Sequence, residues 1–120
     1  MHKILVVDDE PLLMKMLFLS LQTEGYKVVG AIDGEEAIRQ IQETQPDLVL
    51  LDIRLPKVNG FEVIRSIRSG DQSSKIPVIF MTADASINLP ASVKKFQASG
   101  YLLKPYSWNE MLEKIKSCLN

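Results

Sequence analysis

The sequence predicts an α/β fold, an open parallel sheet with helices on both faces, and three observations predict it. The apolar runs Ile4-Leu5-Val6-Val7, Leu48-Val49-Leu50-Leu51 and Val78-Ile79-Phe80-Met81 are continuous rather than alternating. That is the pattern of strands buried on both faces. Segments with apolar residues three and four apart lie between them, as in helices with one buried stripe. The two kinds of segment alternate without repeats or low-complexity linkers, which calls for parallel strands joined by helical crossovers. Five strands and five helices fit the chain. Right-handed crossovers, with direction reversing after the first strand, give the strand order 2-1-3-4-5. At 120 residues the expectation is one domain, residues 1–120, with a single core.

Ile4 to Val7 is the first strand, and it runs into Asp8-Asp9-Glu10. Pro11 suits the first turn of a helix, where its missing N–H would have no partner. That helix runs from Leu12 to Glu24 and stops at Gly25. Leu13, Met16, Leu17 and Leu21 are its expected core face, with Met14 and Phe18 well round from it. Tyr26 to Ala31 is the second strand. Asp33 caps the second helix, with Glu36 three residues on, and Ala37, Ile38 and Ile41 are its buried stripe. The third strand starts at Leu48 and ends on Asp52. Asn59-Gly60 opens the third helix, whose stripe is Phe61, Val63, Ile64 and Ile67, and Ser69 to Ser74 is a polar loop. Pro77 to Thr82 is the fourth strand. Ala83 to Leu89 reads as irregular, and Pro90 begins a short helix reaching about Ala98. Ser99-Gly100 turns into the fifth strand, Tyr101-Leu102-Leu103. Ser107 and Glu110 form a capping box for the last helix, with Met111, Leu112, Ile115 and Leu119 as its core face.

Composition excludes several classes of function. A net charge of −1 gives no electrostatic case for binding nucleic acid. The single cysteine, Cys118, excludes an internal disulfide and reads as a small apolar residue of the last helix. One His and one Cys leave no zinc-ligand spacing. No apolar run approaches the roughly 20 residues of a membrane span. Met1-His2-Lys3 leads into the first strand without a leader pattern, so a cytoplasmic protein is the expectation.

The chemistry collects at the carboxyl ends of the strands, where open α/β sheets bind ligands. Asp52 there is costly unless something compensates it. The first strand delivers Asp8 and Asp9, the third Asp52, the fourth Thr82 and the fifth Lys104. The order 2-1-3-4-5 sets strands one and three side by side, so three carboxylates meet. They raise one another's pKa values unless a cation intervenes. Hard oxygen ligands with room for water describe a magnesium site, and manganese also suits carboxylates. Lys104 is a mobile point charge for an incoming anion, and Thr82 offers it a hydroxyl. Together these groups form a phosphoryl-transfer site in which Asp52, as nucleophile, becomes an acyl phosphate. Each group alone has a plainer role: helix-dipole partner for Asp8 and Asp9, turn residue for Asp52, strand end for Thr82, solvated surface charge for Lys104. What favours the site is that four strands independently end in the groups this chemistry needs.

Four motifs, Val7-Asp8-Asp9-Glu10-Pro11, Leu51-Asp52-Ile53-Arg54-Leu55-Pro56 with Gly60, Met81-Thr82-Ala83 and Tyr101-Leu102-Leu103-Lys104-Pro105, make the chain resemble a receiver domain of two-component response regulators, in the superfamily of the chemotaxis receiver. The resemblance covers essentially the whole chain and implies a flavodoxin-like three-layer sandwich. It implies that Asp52 is the phosphoacceptor, that Asp9 and Asp52 bind magnesium directly and Asp8 mainly through water, and that the Arg54 main-chain carbonyl completes the protein's ligands. It implies that Lys104, Thr82 and Ala83 contact the phosphoryl group. Thr82 then moves toward the phosphate and Tyr101 is the aromatic switch that turns inward with it. A cis peptide at Lys104-Pro105 is expected on the same ground. The implied donor is a sensor histidine kinase or histidine phosphotransfer domain, and the implied chemistry is the domain's own phosphorylation and dephosphorylation only. A downstream output domain or protein is implied, with this domain either stand-alone or part of a larger regulator.

The chain departs from the family pattern in places. Gln97 stands where a glycine usually ends the fourth helix, and Pro90 starts that helix late. Both lie on the face of the fourth helix, fifth strand and last helix that the family commonly uses for output or dimerisation. Met14 and Phe18 replace polar residues and read either as a docking patch for the helix of the phosphodonor or as residues packed under the first loop or incidental on the surface. Arg54 and Asp84 flank the phosphate as a cation and an anion able to pair. A phosphatase with an aspartate nucleophile would need a second acid where Arg54 stands. A flavin-binding module would need a hydroxyl-rich loop where Asp8-Asp9-Glu10-Pro11 stands. The remaining alternative is an inactive receiver serving only as a protein-interaction module, against which the acidic cluster and Lys104 count.

Overall fold

In the computed structural model, which describes residues 1–119, the continuous apolar runs are the inner strands of one sheet. The elements alternate as β1 (Lys3–Val7), α1 (Pro11–Thr23), β2 (Lys27–Ala31), α2 (Gly34–Thr44), β3 (Leu48–Asp52), α3 (Gly60–Ser69), β4 (Val78–Thr82), α4 (Leu89–Phe96), β5 (Gly100–Leu103) and α5 (Trp108–Leu119). The sheet is parallel throughout, in the order β2-β1-β3-β4-β5. Every residue of β3 and β4 is buried. A parallel strand covered by helices on both sides has no solvent face, so its sequence does not alternate.

The same strands feed two separate cores. Leu5, Val7, Val49, Leu51 and Phe80 point to the layer of α2, α3 and α4. Their neighbours Ile4, Val6, Leu48, Leu50, Ile79 and Met81 point to the layer of α1 and α5. This is the period of two of a strand, with both faces apolar. The register sets Val7 beside Leu51, Asp52 beside Met81 and Thr82 beside Leu103. The polar residues at the strand ends therefore form one row along one edge.

The caps follow from the sequence. Asp33 Oδ1 accepts the Glu36 N–H at 2.8 Å, and Asn59 Oδ1 accepts that of Glu62 at 3.1 Å. Ser107 and Glu110 exchange bonds at 3.1 and 3.2 Å, the capping box of α5. Each such cap contributes about 1 kcal/mol. Among the described residues, no helix is long and apolar enough to cross a membrane.

Helix α1 differs from expectation. Leu17 and Leu21 are buried and Leu13 is half-buried, but Met16 is 57% exposed. Met14 and Phe18 are half-buried and turned inward over β2 instead. A Cβ on Gly30 would lie 2.8 Å from Met14 Cε and 2.9 Å from Phe18 Cζ, so the bare glycine makes the slot they fill. The residues left outside are Leu12, Met16 and Leu19. Eight of the thirteen residues of this helix are large and apolar and fall on both its faces, so its spacing alone could not choose the inner one.

Helix α4 runs from Leu89 rather than Pro90 and ends at Phe96, short of Ala98. Asn88 caps it by accepting the Ala91 N–H at 3.1 Å, with Pro90 in the first turn. Its end is left-handed even without a glycine: Gln97 adopts φ 56° and ψ 40°. Arg68 holds that end, donating from Nη2 to the Gln97 carbonyl at 2.9 Å and from Nη1 to the carbonyls of Ile76 at 2.7 Å and Ser74 at 3.2 Å.

Candidate functional site

Three strands end with the same local device. Asp8 Oδ1 accepts the Glu10 N–H, Asp52 Oδ1 accepts the Arg54 N–H, and Thr82 Oγ1 accepts the Asp84 N–H, each at 3.0 Å. A short polar side chain that bonds the amide two residues on fixes itself to the turn leaving the strand. Asp8 and Thr82 are wholly buried and Asp52 is 6% exposed. Behind Asp52 the loop closes tightly. Gly60 donates its N–H to the Ile53 carbonyl at 2.9 Å, and a Cβ on Gly60 would lie 2.7 Å from both the Asp52 carbonyl oxygen and Ile53 Cα.

Lys104 follows β5 and reaches across the sheet edge. Its Nζ donates to Asp8 Oδ2 at 2.8 Å and to Asp52 Oδ2 at 2.9 Å, with Glu10 Oε1 at 4.0 Å. Burial opposes the charged form of Lys104, but the bonds to Asp8 and Asp52 outweigh it and raise its pKa. Asp52 goes the other way. Burial pushes its carboxyl above the usual range, and the bond from Lys104 only partly offsets this. A carboxylate so placed is poised to accept further positive charge.

Carboxylate oxygens of Asp8, Asp9 and Asp52 lie within 4.8 Å of one another. Three carboxylates against one ammonium leave two negative charges in a largely buried cluster. All the donors are hard oxygens, and Asp9 is on the exposed side. The set fits a divalent cation of the magnesium type.

Over the cluster, Arg54 Nε donates to Asp84 Oδ2 at 2.8 Å, and its Nη2 donates to the same oxygen. Asp84 Oδ1 accepts the Ser86 N–H at 3.0 Å and the Ser86 hydroxyl at 2.5 Å. The bonds from Ser86 and Arg54 hold the Asp84 carboxyl down at about 2. Ala83, between Thr82 and Asp84, is exposed. The Lys104–Pro105 peptide is cis.

Asp8, Asp9, Asp52 and Lys104 are thus brought together, with Thr82 on the adjacent strand and Arg54 at the mouth. Tyr101 stands apart: it is 36% exposed, and the Lys114 ammonium lies 5.9 Å from its ring centroid. Met14 and Phe18 do not form an open patch, being packed over Gly30. Two residues beyond those the sequence singles out join the site, Glu10 beside Lys104 and Ser86 on Asp84. Glu10 belongs to the acidic run after β1, and Ser86 stands two residues after an Asp, the spacing of a side-chain-capped turn. Tyr106, also unassigned, donates its hydroxyl to Met81 Sδ at 3.8 Å, and burial pushes its pKa to about 12.

A parallel sheet in this order, with an acidic cluster at its switch point and a lysine reaching over from the last strand, defines a class, and comparison bears on it directly. Residues 4–116 match the response regulator receiver domain, and the chain belongs to that family. It is 35% identical over 119 residues to the DNA-binding dual master transcriptional regulator RpaA of Synechocystis sp., covering 99% of this chain and 49% of that protein. Among solved structures it is similar to the chemotaxis response regulator CheY4 of Vibrio cholerae, with 30% identity, 98% of each chain covered and a TM-score of 0.90. It is also similar to the response regulator TrrA of Thermotoga maritima in complex with Mg(2+)-BeF, with 36% identity, 98% and 99% covered and a TM-score of 0.86. The chain spans about half the length of the curated relatives it matches.

Proposed function

We propose that this receiver domain is a phosphoacceptor switch in which Asp52 takes a phosphoryl group from the phosphohistidine of a sensor histidine kinase or phosphotransfer domain. The observation that carries the proposal is the Asp52 carboxylate, buried, raised in pKa and bonded to Lys104 beside two further acids. An Asp52 oxygen attacks phosphorus as the phosphorus–nitrogen bond breaks, and the imidazole leaves with the bonding electron pair. Asp9 and Asp52 would hold Mg2+, or Mn2+ in its place, with Asp8 acting mainly through water and the Arg54 carbonyl completing the protein's ligands. The metal neutralises charge on the transferring group when bound.

Lys104 exchanges its carboxylate partners for a phosphoryl oxygen. The Thr82 hydroxyl and the Ala83 N–H take the others. Drawing Thr82 inward opens the space into which Tyr101 turns, so new charge on Asp52 biases a loop and a ring. Water later returns Asp52 to the free acid, and the domain performs no other catalysis. The donor's apolar contact falls on Leu12, Met16 and Leu19, which form an exposed stripe starting beside Asp9 and Glu10, rather than on Met14 and Phe18. Residues 1–120 act as one cytoplasmic domain, and its signal passes to an output domain or protein.

Incubation with Mg2+ and acetyl phosphate, or with beryllofluoride, tests the proposal. Wild type gains one phosphoryl group by intact mass, or shows amide shifts around Asp52, Thr82 and Tyr101, and Asp52→Asn does neither. An unmodified wild type, or an Asp52→Asn variant that responds identically, would leave only a protein-interaction module.

A further inference from the structure

The groove between the last turns of α3 and α4 carries positive charge that the molecule does not balance. It is lined by Arg65, Arg68, Ser69, Lys95, Phe96 and Gln97, around a volume of about 420 Å³. The Arg65 guanidinium and the Lys95 ammonium each lie 5.4 Å from the Phe96 ring centroid. The ring itself is held by stacking on Phe61, with centroids 4.9 Å apart. Arg68 gives its donors to the carbonyls of Ser74, Ile76 and Gln97. No acidic side chain among the described residues lines the groove. Among the described residues none of the three cations is in an ion pair, whereas Arg39, Arg54, Lys57 and Lys104 are.

Two helix C-termini meet here, and each contributes roughly half a unit of negative charge. Against three full cations that leaves the groove positive. Burial pushes the Arg68 pKa down, as expected for a guanidinium with carbonyl partners but no counter-ion. The space is larger than one inorganic ion needs and lies within the range of about 300–1,000 Å³ typical of small-molecule sites. A guanidinium fork matches phosphate oxygens in pairs.

We propose that this groove binds a small phosphorylated molecule, with its phosphate between Arg65 and Lys95 and its body against Phe96. The site is independent of the chemistry at Asp52. The competing view is that these cations only balance the helix ends.

Metal-free titration of the full chain with inorganic phosphate and with AMP, at constant ionic strength and followed by amide NMR, separates the two. Saturable shifts are expected at residues 65–69 and 95–98, with AMP binding more tightly than phosphate. Arg65 and Lys95 are exposed, so a combined Arg65→Ala and Lys95→Ala variant keeps the fold. It should lose about ten-fold or more in affinity, as befits two charge-assisted bonds. Asp52→Asn should bind as wild type does. The proposal is overturned by shifts that sodium chloride reproduces, by shifts centred on Asp52 and Lys104, by AMP binding no tighter than phosphate, or by a double variant that binds unchanged.

Discussion

On the β1–β3 side of the sheet edge Asp52 has both carboxylate oxygens engaged, one by the Arg54 N–H and one by Lys104, and the backbone of Gly60 presses against its own. On the β4–β5 side the buried Thr82 hydroxyl holds one bond, from the Asp84 N–H, besides the Lys104 N–H on its carbonyl, and Tyr101 is 36% exposed. The first side is overdetermined and the second is not. On the proposed reading, a phosphoryl group on Asp52 would meet closely held partners behind it and fewer side-chain restraints on the Thr82 side. The contrast also orders the effects of mutation: changes to the groups that hold Asp52, Lys104 reaching over from β5 among them, should cost most.

The largest expected effect is at Lys104. Lys104→Ala leaves Asp8 and Asp52 buried together without their ammonium, and should destabilise metal-free protein by about 3 kcal/mol. Magnesium should recover part of the loss, because it answers the same two charges. Urea unfolding with and without Mg2+ checks this. A loss far below 1 kcal/mol in chelator would mean that the cluster is not held by Lys104.

Gly60→Ala comes next. Its Cβ would meet backbone rather than a side-chain tip, and backbone cannot rotate away, so overpacking should cost about 2 kcal/mol. The same variant should shift the Asp52 amide resonance. An unperturbed Asp52 would show that the β3 end is softer than the contrast requires.

The fold was legible because its signals are local and redundant. Runs without alternation marked the buried strands, caps marked the helix starts, and four strand ends converged on one edge once the order was set. The acidic cluster with Lys104 followed from that convergence. What escaped depended on partners distant in sequence. Met16 and Met14 exchange places because Gly30 on another strand opens a slot. Gln97 can close α4 in a left-handed turn because Arg68, on α3, takes its carbonyl. The Arg54–Asp84 pair was legible as a cation and an anion two residues past their strand ends, whereas the bonds of Ser86 to Asp84 went unread although an Asp with a Ser two residues on is the spacing of a side-chain-capped turn.

Asp52 itself supplies a smaller, pH-dependent test. Below the ordinary carboxylate range it is protonated in both the folded and unfolded chain. As pH rises the unfolded chain ionises first, because burial has raised the folded value. Stability is therefore lost through Asp52 until the folded carboxyl ionises too. In chelator, Asp52→Asn should be more stable than wild type at neutral pH by on the order of 1 kcal/mol. The gain should fade as pH drops below the usual aspartate range. A gain independent of pH would point to packing instead of charge.

The smallest effect belongs to the end of α4 and, like that of Asp52→Asn, is a gain in stability. Gln97 closes α4 at φ 56°, a conformation that costs a side-chain-bearing residue about 1 kcal/mol or more. Glycine adopts it freely but gains more entropy on unfolding. The Arg68 bond is to the Gln97 main-chain carbonyl, so it survives the substitution. Gln97→Gly should therefore stabilise the domain, by about 0.5 kcal/mol net, with an unchanged denaturant slope. If it destabilises instead, the Gln97 side chain is holding α4.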